Sequence, residues 1–277
     1  MTRRKIIGII DSGVGGLSVL ETMYRLSLAE EIVYIADPFY FPYGEKSKEE
    51  LLPIVRPLLR FLVEVGKADV IVTACGTVSS LCLPDLRSEF PLPILGILEP
   101  ACREAVKVTV RKKIVVLATR ATIRSGSFRE ALQIADDSVE VYEEAWPEFI
   151  EAVEQGNFDT PRWRQWVGEQ LRFFAEQGID TAIMGCTHFA LISRFFEELA
   201  PAGFVIVNPA CACAQEVQAL FPDYPLSPCG DQRLRIFVRG DLTHFQQVLS
   251  TLPLVLGDFE LSLFPSALAL GSEARCV

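Results

Sequence analysis

Histidine is nearly missing from this chain. Its 277 residues include two, His188 and His244, too few for a histidine-rich metal centre. Cys211 and Cys213 lie one residue apart, closer than the spacing of two to four that zinc sites use, so no metal is expected. No apolar stretch approaches the roughly 20 residues of a membrane helix. The opening "MTRRKIIGII" meets Asp11 too soon to form the apolar core of a secretion signal. These absences lead us to expect a soluble, cytoplasmic protein with no membrane partner. Basic clusters are lacking as well: the net charge is −10, whereas nucleic-acid binding needs grouped Lys and Arg to meet phosphates. Cys-x-x-Cys is absent, which argues against a disulfide oxidoreductase. The glycines of "DSGVGG" match neither dinucleotide nor P-loop spacing, so no nucleotide cofactor is expected there.

What is present is an ordinary globular balance, 50% hydrophobic and 22% charged. A chain this long fits two domains. It buries about three quarters of its unfolded surface without disulfide staples. The eight cysteines therefore read as reduced thiols. Packing is the expected role of Cys82, Cys102, Cys211, Cys213, Cys229 and Cys276.

Short apolar runs recur, each followed by a polar or glycine-containing turn and a helical pattern: "KIIGII", "IVYIA", "DVIVTA", "PILGI", "KIVVLA", "DTAIMG", "GFVIV" and "LRIFV". Continuous apolar strands alternating with helices predict an α/β fold with mainly parallel sheets. One helix opens on the capping box Ser47 and Glu50, with Pro53 and Pro57 expected to delay or bend it. Another starts at Pro161 and closes at Gly178. A weak repeat is visible too. Lys5 and Lys113 open similar strands 108 residues apart, and Cys75 and Cys186 end strands 111 residues apart. Two related α/β halves follow. Because ligands bind beyond the carboxyl ends of strands in open α/β sheets, facing halves would put the two cysteines on opposite walls of one cleft. The stretch from Leu254 onward shows no clear periodicity.

A lone cysteine ending an apolar strand is ordinarily packing. The pairing of "TACGT" with "GCTHF" argues otherwise, since each cysteine has a threonine within two residues and His188 follows the second. Two opposed thiols suit removal of a proton from one face of a carbon and its replacement on the other. A modest downward shift from the free-thiol pKa would leave one Cys as base and the other as acid. Asp11 and Asp37 each follow an apolar strand, where a carboxylate can bind an ammonium, help move thiol protons or merely cap the next helix. "FPYG", Phe41 to Gly44, reads as a rigid turn bringing backbone donors near a ligand. His244 reads as a solvated residue on a helix face.

Taken together, "IGIIDSGVGGLSVL", "YIADPFYFPYGEKS", "VIVTACGT", "GILEPA", "VLATRATIRSG", "EEAWPEFIEAVEQG", "DTAIMGCTHFAL" and, more faintly, "VIVNPA" and "FVRGDLTHF" resemble the glutamate racemases of the aspartate/glutamate racemase superfamily. The resemblance implies a cofactor-independent isomerase that interconverts L- and D-glutamate for peptidoglycan, commonly as a homodimer. It implies two α/β domains related by a pseudo-twofold, residues 1–98 plus 207–277 and residues 99–206, with the site between them. Cys75 and Cys186 would be the acid/base thiols, Asp11 would assist Cys75, and His188 and Glu154 would assist Cys186. Asp11, Ser12, Asp37, Pro42, Tyr43, Gly44, Gly76, Thr77, Thr122 and Thr187 would hold the substrate.

Four positions depart from the family pattern. Gly76 stands where the family has Asn, Pro38 where Thr is common, Tyr40 where Arg is frequent, and Asn208 where Asp is found. A lost hydrogen bond to a charged group costs about 1.5–3 kcal/mol, and space beside Gly76 would admit a different amino or hydroxy acid. That rival, and a non-catalytic amino-acid-binding protein, stand beside the racemase reading.

Overall fold

The computed structural model describes residues 4–222 and 232–265. Ten strands form two sheets: β1 (Ile6–Asp11), β2 (Glu31–Ala36), β3 (Val70–Thr73), β4 (Ile94–Gly96), β5 (Lys113–Ala118), β6 (Glu140–Ala145), β7 (Thr181–Met184), β8 (Val205–Val207), β9 (Arg233–Val238) and β10 (Phe259–Leu263). The larger sheet runs β10-β9-β2-β1-β3-β4 and the smaller β6-β5-β7-β8. Every pairing described is parallel. Without β9 and β10 the larger order, β2-β1-β3-β4, is repeated strand for strand by β6-β5-β7-β8. β1 therefore corresponds to β5 and β3 to β7, as the two sequence offsets imply.

The eight apolar runs read as strands all form strands; β2, β3 and β7 are buried along their whole length, while β8 and β9 are only partly so. Two strands were not foreseen. β6, "EVYEEA", and β10, "FELSL", are the outer edges of their sheets and largely open to solvent. An edge strand has one neighbour and needs no continuous apolar run, so β6 can carry three glutamates and β10 can alternate apolar with polar residues. β10 also lies inside the stretch from Leu254 that reads as irregular, and its pairing with β9 corrects that expectation.

The helix Lys48–Glu64 has the reciprocal capping box, with Ser47 Oγ accepting from the Glu50 amide and Glu50 from the Ser47 amide. It is not delayed by its prolines. Pro53 is exposed and Pro57 half-buried, so carbonyls deprived of partners are on the wetter side, where water can serve them. The helix Pro161–Glu176 begins at its proline, is capped by Thr160, and is followed by Gly178 in the left-handed region at φ +82.

Cys82, Cys102 and Cys213 are buried, as expected, but Cys211 is exposed. The helix Pro209–Ala219 turns Ala210, Cys213, Ala214 and Val217 inward, and Cys211 falls on its other side. Cys229 and Cys276 lie outside the described residues. Among the described residues no helix is long and apolar enough to cross a membrane.

Candidate active site

Cys75 and Cys186 occupy equivalent places in the repeat. Each follows a buried strand, β3 or β7, and immediately precedes a short helix, Gly76–Leu81 or Thr187–Leu191. Apolar strands end at a sheet edge where the backbone must turn, which fixes both thiols at the carboxyl ends of the two sheets. Both line one cavity of about 390 Å³, with Ser12, Thr77, Thr187 and His188 in its wall and the segment 42–44 and Gly76 completing it. The thiols are nearly closed off, at 4% and 5% exposure.

Their surroundings differ. Cys186 Sγ lies 3.5 Å from His188 Nδ1, and His188 Nε2 lies 2.6 Å from Glu154 Oε2. Burial by itself would lower the His188 pKa, but Cys186 and Glu154 outweigh it and raise the imidazole well above its ordinary value. Neighbouring Phe189 anchors this helix in an aromatic cluster with Trp146, Phe149 and Phe196, so the relay sits on rigid packing. Cys75 has no such partner. Its Sγ is 3.9 Å from Ser12 Oγ, and burial followed by the Asp11 charge pushes its pKa from 9.0 up to about 12. The downward shift anticipated for a thiol base is therefore not met at Cys75, because no cation offsets its desolvation.

Four residues expected at the site stand behind the cavity wall. Asp11 is 1% exposed. One of its carboxylate oxygens accepts from the Gly13 and Gly16 amides and the other from the Thr187 hydroxyl, tying the loop after β1 to the loop after β7. Burial raises its pKa to about 6, with His188 and the two glycine amides acting against the rise. Glu154 makes a second tie of this kind, accepting from the Val14 amide as well as facing His188. Thr122 joins Thr77 and Thr119 in a hydroxyl cluster spanning both sheets, at 2.9 and 3.4 Å. Asp37 is fully buried and is held by the Tyr43 hydroxyl and the Arg239 guanidinium. It supports the wall without forming it.

Gly76 is crowded. A side chain there would run into the Gly185 carbonyl oxygen from the opposite half, so the space expected beside Gly76 is filled by backbone. Gly15 and Gly44 also meet the other half closely, with Thr187 Oγ1 and Thr119 Cβ each 2.5 Å from where a Cβ would stand. Glycines thus let the two sets of strand-end loops touch.

The sequence reading missed Thr119, Arg120 and Ile150 in the wall and Arg239 behind it. Thr119 was findable, since it caps the helix Arg120–Ser125 by accepting from the Thr122 amide, a Ser/Thr cap visible in "ATRAT". Arg239 carries no local signal, because its partner Asp37 is about 200 residues away in sequence. His244 is exposed on its helix, as expected. Among the described residues no group of three or more potential metal ligands forms.

Known proteins resemble this chain in sequence and in fold. The family model for Asp/Glu/hydantoin racemases matches residues 7–217. A glutamate racemase of Desulforudis audaxviator is 35% identical over 250 residues, covering 87% of this chain and 91% of that protein. One from Picosynechococcus is 38% identical over 226 residues, covering 80% of each. Among solved structures, a Bacillus anthracis glutamate racemase superposes with a TM-score of 0.82 at 29% identity, covering 94% of this chain and 97% of the other. A Thermus thermophilus glutamate racemase in complex with β-chloro-D-alanine gives 0.77 at 31% identity, covering 93% and 96%. With the family model spanning most of its length and these relatives covering four fifths or more of it, the chain belongs to the Asp/Glu/hydantoin racemase family.

Proposed function

We propose that this protein is a cofactor-independent glutamate racemase working by two-thiol acid/base catalysis. The carrying observation is that Cys75 and Cys186, from equivalent positions of a repeated α/β unit, line the same cavity in contrasting protonation environments. Cys186, with His188 and Glu154 placed to accept and return its proton, takes the part of the base. Cys75, pushed up to about 12, is the resting acid. The Cys186 thiolate takes the α-proton from one face of bound glutamate, and the electron pair stays on the α-carbon, delocalised into the carboxylate. Cys75 delivers its proton to the opposite face, which inverts the centre and leaves thiol and thiolate exchanged. The reverse reaction uses the same groups in opposite roles.

The hydroxyls of Ser12 and Thr77 and the backbone amides of Tyr43 and Gly44 are donors for two carboxylates, whereas the hydroxyl protons of Thr187 and Thr119 already go to Asp11 and Thr122. Asp11 links the two halves and sets the charge near Cys75. The proposal includes the domain division 1–98 with 207–277 and 99–206, in line with the strand membership of the two sheets except that β8 runs one residue further, to Val207. It also includes a cytoplasmic homodimer supplying D-glutamate to peptidoglycan, as the family relationship suggests.

Circular dichroism of single enantiomers tests the substrate. L- and D-glutamate should each lose optical activity to a common end point. If glutamate is inert while another amino or hydroxy acid racemises, the substrate assignment fails.

A further inference from the structure

β2 pairs with β9 in parallel register, ending at Ala36 opposite Val238. The next residue on each strand is charged, Asp37 on one and Arg239 on the other, and the backbone keeps them side by side. The Arg239 amide donates to the Ala36 carbonyl at 2.9 Å, and the Phe39 amide to the Arg239 carbonyl at 2.9 Å. Arg239 Nε donates to Asp37 Oδ1 at 2.7 Å, while Nη2 donates to Asp37 Oδ2 and, at 3.0 Å, to the Ile54 carbonyl. The guanidinium also lies 4.7 Å from the centre of the Tyr40 ring. Asp37 is 0% exposed and the Arg239 side chain 11%, so this ion pair is screened from water. The other partners of Asp37 are the Tyr43 hydroxyl, which donates to Oδ2, and the Tyr40 amide. Tyr43 and its neighbours Pro42 and Gly44 form the cavity wall.

We propose that Arg239 is a positioning residue for racemisation: by compensating the buried Asp37 carboxylate it fixes Tyr43, and through it the Pro42–Gly44 wall that receives the substrate. Arg239 does not line the cavity, and its influence passes through Asp37 and Tyr43. Without the guanidinium, Asp37 is a buried charge with two neutral donors, the Tyr43 hydroxyl and the Tyr40 amide. It must then draw in water, which loosens its hold on the tyrosine. The inference rests on the glutamate reading of the cavity.

The test compares Arg239→Met, Arg239→Lys and Asp37→Asn/Arg239→Met with the parent, measuring KM and kcat for glutamate and amide hydrogen exchange across residues 41–46. Arg239→Met should raise KM roughly ten- to a hundredfold with kcat largely kept, since both thiols stay in place, and exchange of the segment should quicken. Arg239→Lys should fall between parent and Met variant. The double variant should recover much of the KM, because no uncompensated carboxylate remains. A folded Arg239→Met variant with parental KM and exchange overturns the proposal, as does a double variant no better than the single one. Should Arg239→Met not fold, parental KM and exchange in Arg239→Lys overturn it. If the parent itself leaves glutamate untouched, the substrate reading fails, while exchange in residues 41–46 still decides what Arg239 holds.

Discussion

Asp11 shows how one buried carboxylate links stability to chemistry. Its pKa is raised from 3.8 to about 6, so between those values the native protein keeps a proton that the unfolded chain has already released. Stability therefore falls as pH rises through that window, and the loss is complete above about pH 6, on the order of 2–3 kcal/mol. Asp11→Asn retains an acceptor for the Gly13 and Gly16 amides and removes the charge. It should stabilise the protein by a similar amount at pH 7.5 and give no gain at pH 4, while lowering racemisation. Denaturant titrations at both pH values check this, and equal stability of parent and variant at pH 7.5 would contradict it. The two thiols were legible in the sequence because each ends an unmistakable apolar strand. What separates Cys75 from Cys186 was legible only in part: His188 stands two residues from Cys186, whereas Glu154 behind it and the Asp11 charge near Cys75 are brought there by the fold.

The strand-end loops meet along a seam of glycines, and Gly76 is where a side chain fits least. The family resemblance implies an asparagine at this position, and the sequence alone suggests an empty space left by its loss. The structure reverses that expectation, because the Gly185 carbonyl stands where the side chain would start. Gly76→Ala should therefore force the loop after β3 away from the loop after β7, with a lower melting temperature and at least about a tenfold loss of kcat/KM, comparable to other backbone-level overpacking. Restoring the family residue as Gly76→Asn should not improve on the parent. Calorimetry and steady-state assays read both variants; Gly76→Asn activity above the parent would mean that the seam opens freely. Of the elements, the covered strands could be read directly from apolar runs, while β6 and β10, one-sided and polar, could not. Caps at Ser47 and Thr160 fixed where their helices begin, as local hydrogen-bond chemistry should.

For the molecule as a whole, the repeated offset between residues 5 and 113 and between residues 75 and 186 already contained the architecture: one four-stranded unit used twice, with β9 and β10 added to the edge beside β2. A repeat of this kind explains why two cysteines far apart in sequence share one cavity. What it leaves open is how closely the halves approach, which long-range ties such as Asp11–Thr187 and Val14–Glu154 determine. Neither half holds both thiols, so under the proposed mechanism inversion belongs to the assembled cleft. The most direct test follows the α-proton of glutamate by NMR in heavy water with the parent, Cys75→Ala and Cys186→Ala. The parent should replace the α-proton of both enantiomers with deuterium as they interconvert, and neither alanine variant should racemise glutamate. Racemisation at the parental rate by either folded alanine variant would contradict the two-thiol account.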